Sequence, residues 1–351
     1  MGRPARPRSR ISDNDGFCDL WANSPEQIGD FEVTTLRGPN GFAQFRLQEN
    51  VNLQVIADGN VLVACCGWAR HNSIVAGQRV TLSYGQALGV HKDYRRQGFG
   101  DAVRNFAHAM NTLGPSLAQY DIMRASNFAV VGWWEKYVPD FFEDVPKQEE
   151  QVPGIPIRVW QIPARTVQGD AAGIRPGRRE DIPQSVALVN ATHDGQDFFR
   201  PYTGEFLEDR LDEGYWGERA EWFPPVYCWD DFFVVEQAGR VVACAGLWDR
   251  GRDLRDRFRH SETGEERLLA DTALLDWGFE PGAEDAMVEL LDHLSGRAHA
   301  LGRDFVLAPL EQTPSLVKRI EAWQPTTETR YLRWDVPEFP VTRPHTNLVY
   351  W

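Results

Sequence analysis

Apolar and polar positions change period along this chain. Residues 81–90, TLSYGQALGV, form an apolar, β-prone run and predict a strand. Residues 91–100, HKDYRRQGFG, interrupt it with charge and two glycines. Beyond them apolar residues recur at helical spacing, with Phe99, Val103, Phe106, Ala107 and Met110 on one face. A strand, a glycine turn and a helix are therefore expected over 82–110. Residues 51–70 hold two β-rich runs flanking Asp58-Gly59, a hairpin signal, and residues 232–249 repeat it around another glycine turn. The second arms read Val63-Ala64-Cys65-Cys66-Gly67 and Val242-Ala243-Cys244-Ala245-Gly246, 179 residues apart, about half the chain. That repeat predicts an internal duplication.

A Pro- and Gly-bearing stretch at 148–173, following a strand at 158–162, reads as the linker between halves. From residue 174 a short strand restarts the pattern. An amphipathic helix follows through Asn190, with Asp181 as its expected N-cap and Pro183 in its first turn. A strand at 304–309, a helix at 315–323 and a closing strand at 347–351 complete the order. The 351 residues suit two domains, placed at 1–165 and 170–351.

Composition narrows the classes. No apolar run reaches the length of a membrane span, and the basic first ten residues lack the apolar segment of a secretory signal; they predict a disordered arm on a cytoplasmic protein. The five cysteines form no Cys-x-x-Cys pair, which points to free thiols rather than zinc, and no metal is expected. Residues 1–165 carry 17 basic and 17 acidic side chains, so the second half holds the whole net charge of −14. That balance argues against nucleic acid and favours a cationic partner.

The chemistry concentrates at the turn. Arg95 and Arg96 supply positive charge, Gly98 and Gly100 allow backbone amides to approach a ligand, and the helix N-terminus presents unpaired N–H groups. Together they make a diphosphate cradle. Neither the P-loop spacing nor the G-x-G-x-x-G fingerprint is present.

With Arg95-Arg96-Gln97-Gly98-Phe99-Gly100 after a strand and before a helix, the sequence resembles the GNAT superfamily of N-acetyltransferases, whose acetyl-CoA loop reads Gln/Arg-x-x-Gly-x-Gly/Ala. The lead-in Gly89-Val90-His91-Lys92-Asp93-Tyr94 is similar too, with Lys92 where Pro often sits. The resemblance covers most of residues 31–162. It implies an α/β fold of two GNAT-like domains, each a mixed, mostly antiparallel central sheet flanked by helices. It implies acetyl-CoA as co-substrate, its pyrophosphate held by Arg95, Arg96, Gln97, Gly98, Phe99, Gly100 and Asp101, and its pantetheine paired with the backbone of Leu88 and Val90. A family asparagine matches Asn127, but the family's tyrosine position holds Trp134; Tyr137, one helical turn on, is the substitute acid. The family's base position falls on Tyr84, a phenol and a poor base at neutral pH, so Asp121 or a water relay stands beside it. One of Tyr120 and Asp121 must point inward.

In the second half the matching loop, Phe279-Glu280-Pro281-Gly282-Ala283-Glu284, has lost both arginines and gained acid. Like charge would repel a diphosphate there, which implies a degenerate domain that shapes the acceptor site. His193-Asp194 reads as a loop. The expected activity is transfer of an acetyl group to the amine of a small cationic acceptor, with no nucleic acid or membrane partner. A catalytically decayed CoA-binding or scaffold protein, and a CoA enzyme acting on another group, are the alternatives. Titration calorimetry with CoA is expected to show one site per chain; two equivalent sites would overturn the assignment of the cofactor to the first half.

Overall fold

The computed structural model describes residues 14–112, 118–124, 155–167, 173–212, 225–334, 341 and 343–350. The basic N-terminal arm, Asn127, Trp134 and Tyr137 lie outside the described residues.

The first half begins with α1 (Asn14–Ala22), β1 (Glu26–Ile28), β2 (Phe31–Arg37) and α2 (Ala43–Arg46). The strands β3 (Val51–Asp58), β4 (Val61–Val75) and β5 (Gln78–Val90) lead into α3 (Phe99–Thr112), β6 (Ala118–Arg124) and β7 (Ile155–Pro163). The second half opens with β8 (Ile174–Pro176), α4 (Ile182–Thr192) and α5 (Gly204–Leu211). Next come β9 (Phe232–Gln237), β10 (Arg240–Trp248), α6 (Arg250–Asp253), β11 (Leu254–His260) and β12 (Glu266–Leu269). It ends with β13 (Asp271–Phe279), α7 (Glu284–Ala300), β14 (Phe305–Ala308), α8 (Pro314–Ile320) and β15 (Thr326–Trp334).

Eleven strands form one sheet in the order β3-β4-β5-β6-β15-β7-β14-β13-β10-β9-β8. Apart from β8, which adds an edge strand on one side, the order is symmetric about the β15–β7 boundary. Each half runs hairpin, third strand, helix, then a parallel strand: β5 pairs with β6 in parallel, as β13 does with β14. Each half then gives away its last strand. β7 pairs with β14 of the second half, β15 pairs with β6 of the first, and the two exchanged strands pair with each other from Thr326↔Gln161 to Leu332↔Ile155. A smaller sheet, β1-β2-β11-β12, also crosses the halves through β2 and β11.

Local chemistry explains the repeated parts. The β9–β10 turn has Ala238 at φ +50° and Gly239 at φ +77°, the double left-handed turn that matches strand twist. Both third strands carry a bulge at the same place. The β4–β5 register slips between Cys65 and Gly67, and the β10–β13 register slips between Cys244 and Gly246. The bulged residues Ala87 and Asp276 both take positive φ, +55° and +49°. Just after each bulge the same backbone bond forms: His91 N–H to Val63 O and Glu280 N–H to Val242 O, both 2.9 Å. The duplication predicted from the hairpin arms is thus a duplication of fold.

α3 packs Val103 and Ala107 against Ala64, Cys66 and Trp68. Its buried stripe is narrower than expected. Phe106 and Met110 lie about 60° round the helix from Val103 and Ala107 and are each 37% exposed. α7 buries Met287, Leu290, Leu291, Leu294 and Ala298 on the other half of the sheet. Two further expectations are corrected. Asp181 stands at the N-cap of α4 as expected, but its side chain makes no capping bond; the carboxylate accepts from Arg178 N–H at 2.9 Å and grips Arg175 at 2.7 and 2.8 Å, which draws it into the preceding turn. The chain end is not a strand. Leu348–Tyr350 is a 3-10 turn whose Val349 carbonyl accepts from Gln44 and Gln48 side chains, so its hydrogen bonds go to α2 and the turn after it.

Because each half lacks a central strand of its own sheet, residues 1–167 and 173–351 expressed separately are expected to show no cooperative urea unfolding, and to regain it when co-expressed. Cooperative unfolding of either fragment alone would contradict the exchange as a folding requirement.

Candidate functional site

The predicted cradle is built where β5 runs into α3. The 3-10 turn Lys92–Tyr94 is capped by His91, whose Nδ1 accepts from Asp93 N–H at 3.3 Å, and Tyr94 Oη donates to Asp58 Oδ2 at 3.3 Å, tying the loop to the β3–β4 turn. Arg96 and Gly98 then take φ +62° and +83°. Among the described residues no acceptor takes the amide N–H groups of Arg96, Gln97, Gly98, Phe99, Gly100 or Asp101. Successive free N–H groups at the head of a 14-residue helix form an anion-binding concavity. The two arginines divide the work. Arg95 braces the loop, donating to Val90 O at 3.3 Å and Pro25 O at 2.5 Å, whereas Arg96 is exposed. Gln97 also braces, donating to Asp93 O at 3.1 Å. Gly98 needs glycine for its φ, while Gly100 lets the helix start close against Val90, whose Cγ2 would lie 3.3 Å from an added Cβ.

β5 pairs with β6 only from Leu82↔Ala118 to Gly85↔Asp121, and then the two strands part. Among the described residues, 86–90 therefore keep β4 on one side and an open edge on the other. Leu88 and Val90 sit on that edge, where an extended ligand can pair as an added strand. A cavity of about 190 Å³ opens in the fork, lined by Tyr84, Gly85, Leu88 and Asp121 among others. Two of the three expected catalytic side chains meet here; the third, Tyr137, and the cofactor candidate Asn127 lie outside the described residues.

The register of β6 sends Tyr120 into the core and leaves Asp121 at the cavity. The Asp121 carboxylate fills the space over Gly85, where any Cβ would collide with Oδ1 and stand 3.0 Å from the Trp68 ring. Arg104, buried on α3, faces Asp121 at 3.7 Å. Tyr84 packs against Tyr120 at 5.1 Å between ring centroids, and the Tyr120 hydroxyl bonds His71 Nε2 at 2.8 Å. Burial first, then the nearby Arg200 charge, pulls the His71 pKa down to about 4, so that ring is neutral at physiological pH. Cys66 also lines the cavity, but burial pushes its thiol far above the usual range. Cys65 is pushed up to about 12 for the same reason.

The far wall was invisible to sequence reasoning. Thr35 and Arg37 come from β2, Arg250 from α6, Leu254 from β11 and Arg330 from β15. They converge only because β2 pairs with β11 and β15 crosses into the first half. Their sequence signal is no more than an arginine near a strand end. The expectation of an acidic, cation-collecting cleft is corrected here. The acids lining the cavity, Glu26 and Asp121, belong to the first half, and the second half contributes Arg250 and Arg330. Many second-half carboxylates are spent on arginines: Asp249 on Arg303, Asp271 on Arg250, Asp276 on Arg210, Glu280 on Arg240 and Asp285 on Arg319.

The matching fork in the second half is filled. Asp276, at its bulge, accepts from Tyr202 Oη at 2.6 Å. His193, buried, bonds the Trp277 carbonyl at 3.0 Å and stacks edge-on to His345 at 4.5 Å, and about 10 Å³ of space is left. Burial pulls His193 down to about 4.

Gly98→Val forces a β-branched residue into φ +83°, so CoA affinity is expected to fall roughly tenfold or more, together with a loss of about 1–3 kcal/mol of stability in urea denaturation from the backbone strain. Gly85→Ala is expected to lower stability by about 1–3 kcal/mol in urea denaturation, since Asp121 and Trp68 must both give way.

No family model and no curated protein matches the chain. Among solved structures it is similar to N-myristoyltransferase of Saccharomyces cerevisiae with bound myristoyl-CoA. One such structure shares 15% identity over 94% of this chain and 80% of that chain, with a TM-score of 0.58. A second shares 14% over 95% and 84%, with a TM-score of 0.60. A third, with bound myristoyl-CoA and inhibitors, shares 17% over 93% and 79%, with a TM-score of 0.57. The likeness covers nearly the whole chain, and the fold is the tandem GNAT-like α/β fold of those N-myristoyltransferases.

Proposed function

We propose that the chain is a CoA-dependent N-acyltransferase, carried above all by one observation: the cavity lining, the edge of β5 and the cradle of free N–H groups follow one another along residues 84–101. In this reading residues 1–165 carry the acyl-CoA and residues 170–351 shape the acceptor site. The pyrophosphate sits on the amides of Arg96 to Asp101 with Arg96 beside it, and the pantetheine lies along residues 86–90. The thioester then reaches the fork at the Ala87–Leu88 bulge, where strand hydrogen bonding is interrupted and a backbone N–H is free to polarise the carbonyl.

The acceptor amine attacks the thioester carbon from the side of Asp121 and Tyr84. A C–N bond forms, the C–S bond breaks, CoA leaves as thiolate, and the surplus ammonium proton passes to Asp121 or to water in the cavity. The transfer is direct. Cys66 is the thiol nearest this chemistry, and burial keeps it protonated and unreactive. The acyl group proposed is acetyl; the similar solved structures hold myristoyl-CoA, so chain length belongs in the test. The acceptor is a small molecule, in keeping with the cavity's size. No described helix is long and apolar enough to cross a membrane.

Free-thiol release is to be followed with acyl-CoA of increasing chain length and a panel of small amines, with products weighed by mass spectrometry. Amine-dependent CoA release and an N-acyl product are expected, with Asp121→Asn lowering kcat about a hundredfold or more while CoA affinity holds. CoA binding without release for every pair would leave the non-catalytic CoA-binding alternative.

A further inference from the structure

Arg37 is a cation with no counterion among the described residues. No described carboxylate lies within 4.0 Å of it, unlike Arg250, which Asp271 holds with both oxygens at 2.9 Å. Its hydrogen bonds are long and go to neutral oxygens, Gly41 O at 3.4 Å and Gln44 Oε1 at 3.3 Å, and its buried Nε has no partner. Its orientation is nonetheless fixed. The guanidinium stacks over Trp21 at 4.4 Å, with Phe45 and Phe17 at 5.4 and 5.6 Å. Burial and the neighbouring Arg250 pull its pKa down to about 10, only partly offset by Asp256, which is itself engaged by Thr35 at 2.7 Å. Leaving a rigid, partly buried guanidinium without an anion costs stability, and such a charge is normally matched by a ligand.

Arg37 and Arg250 line the same cavity as Asp121, whose floor is the fork where the thioester is placed. We infer that this end of the cavity is a carboxylate subsite, so that the acceptor is an amino-acid-like amine whose carboxylate rests against Arg37 and Arg250 while its amine faces Asp121. This rests on the acyltransferase reading for the amine's role, but not for binding of the carboxylate. A planar guanidinium pairs a carboxylate side by side, which fixes orientation as well as charge. A cavity lined by both Arg37 and Asp121 offers charge of both signs, which suits a zwitterion better than a polyamine.

Two arms separate the failure of this subsite from failure of the acyltransferase reading. Calorimetry with N-acetyl amino acids and their carboxamides needs no turnover. Binding at least about tenfold tighter for the carboxylates is expected, with Arg37→Gln abolishing the difference and leaving acyl-CoA affinity unchanged as the check on folding. Arg37→Lys, which keeps the charge and loses the planar fork, is expected to recover part of it. Steady-state kinetics then compare amino acids with the amines lacking the carboxyl group, and kcat/KM is expected to favour the amino acids, mostly through KM. Equal binding of carboxylates and carboxamides, a preference that survives Arg37→Gln, or faster turnover of polyamines would overturn the proposal.

Discussion

The hydrogen-bonded pairing of β7 with β15 is the constraint on which the rest depends. A parallel strand pair leaves an open edge, and an open edge inside a protein needs a partner for its backbone groups. Each half meets that need with the other's last strand. The exchange converts two short sheets into one of eleven strands and fixes the relation of the halves through backbone bonds rather than side-chain contact alone. It also brings Arg330 of the second half beside β6 of the first, at the mouth of the fork.

The same bulged strand occurs twice and has two fates. After Ala87 the strands part around a cavity; after Asp276 they part around the chain's own Tyr202, His193 and His345. The difference begins in the loops that follow. The first has free amides and Arg96, while in the second Glu280 is bound to Arg240 and Asp285 to Arg319. One half keeps an open cavity and the other is closed by its own side chains, with the buried Asp276–Arg210 pair as the closing contact.

Net charge proved a poor guide to the site because charge acts through position. The formal −14 already counts the arginines beside Asp271 and Asp249, so it fixes how many acids are in excess but not where they lie. At a distance such pairs are dipoles, and their field falls off faster than that of a lone charge. What the cavity presents is set by the residues left uncompensated at its wall, and Arg37 is the clearest of these.

Local physics decides what could be read from the chain alone. The hairpins at Asp58 and Gly239, strand β5, the turn through Gly98 and helix α3 each follow from periodicity and from residues that tolerate particular φ values, so they were legible, and so was the cradle they build. The duplication was legible because strand arms keep their apolar pattern. The capping role of Asp181 and the form of the chain end were misread, because Arg175 and Gln44 compete for those groups from other elements. The exchange of β7 and β15, the small sheet that carries Arg37 and the plugging of the second fork belong to tertiary structure. They depend on which strand edges meet, and pairing between residues about 140 or more positions apart leaves no mark in the local period of either partner.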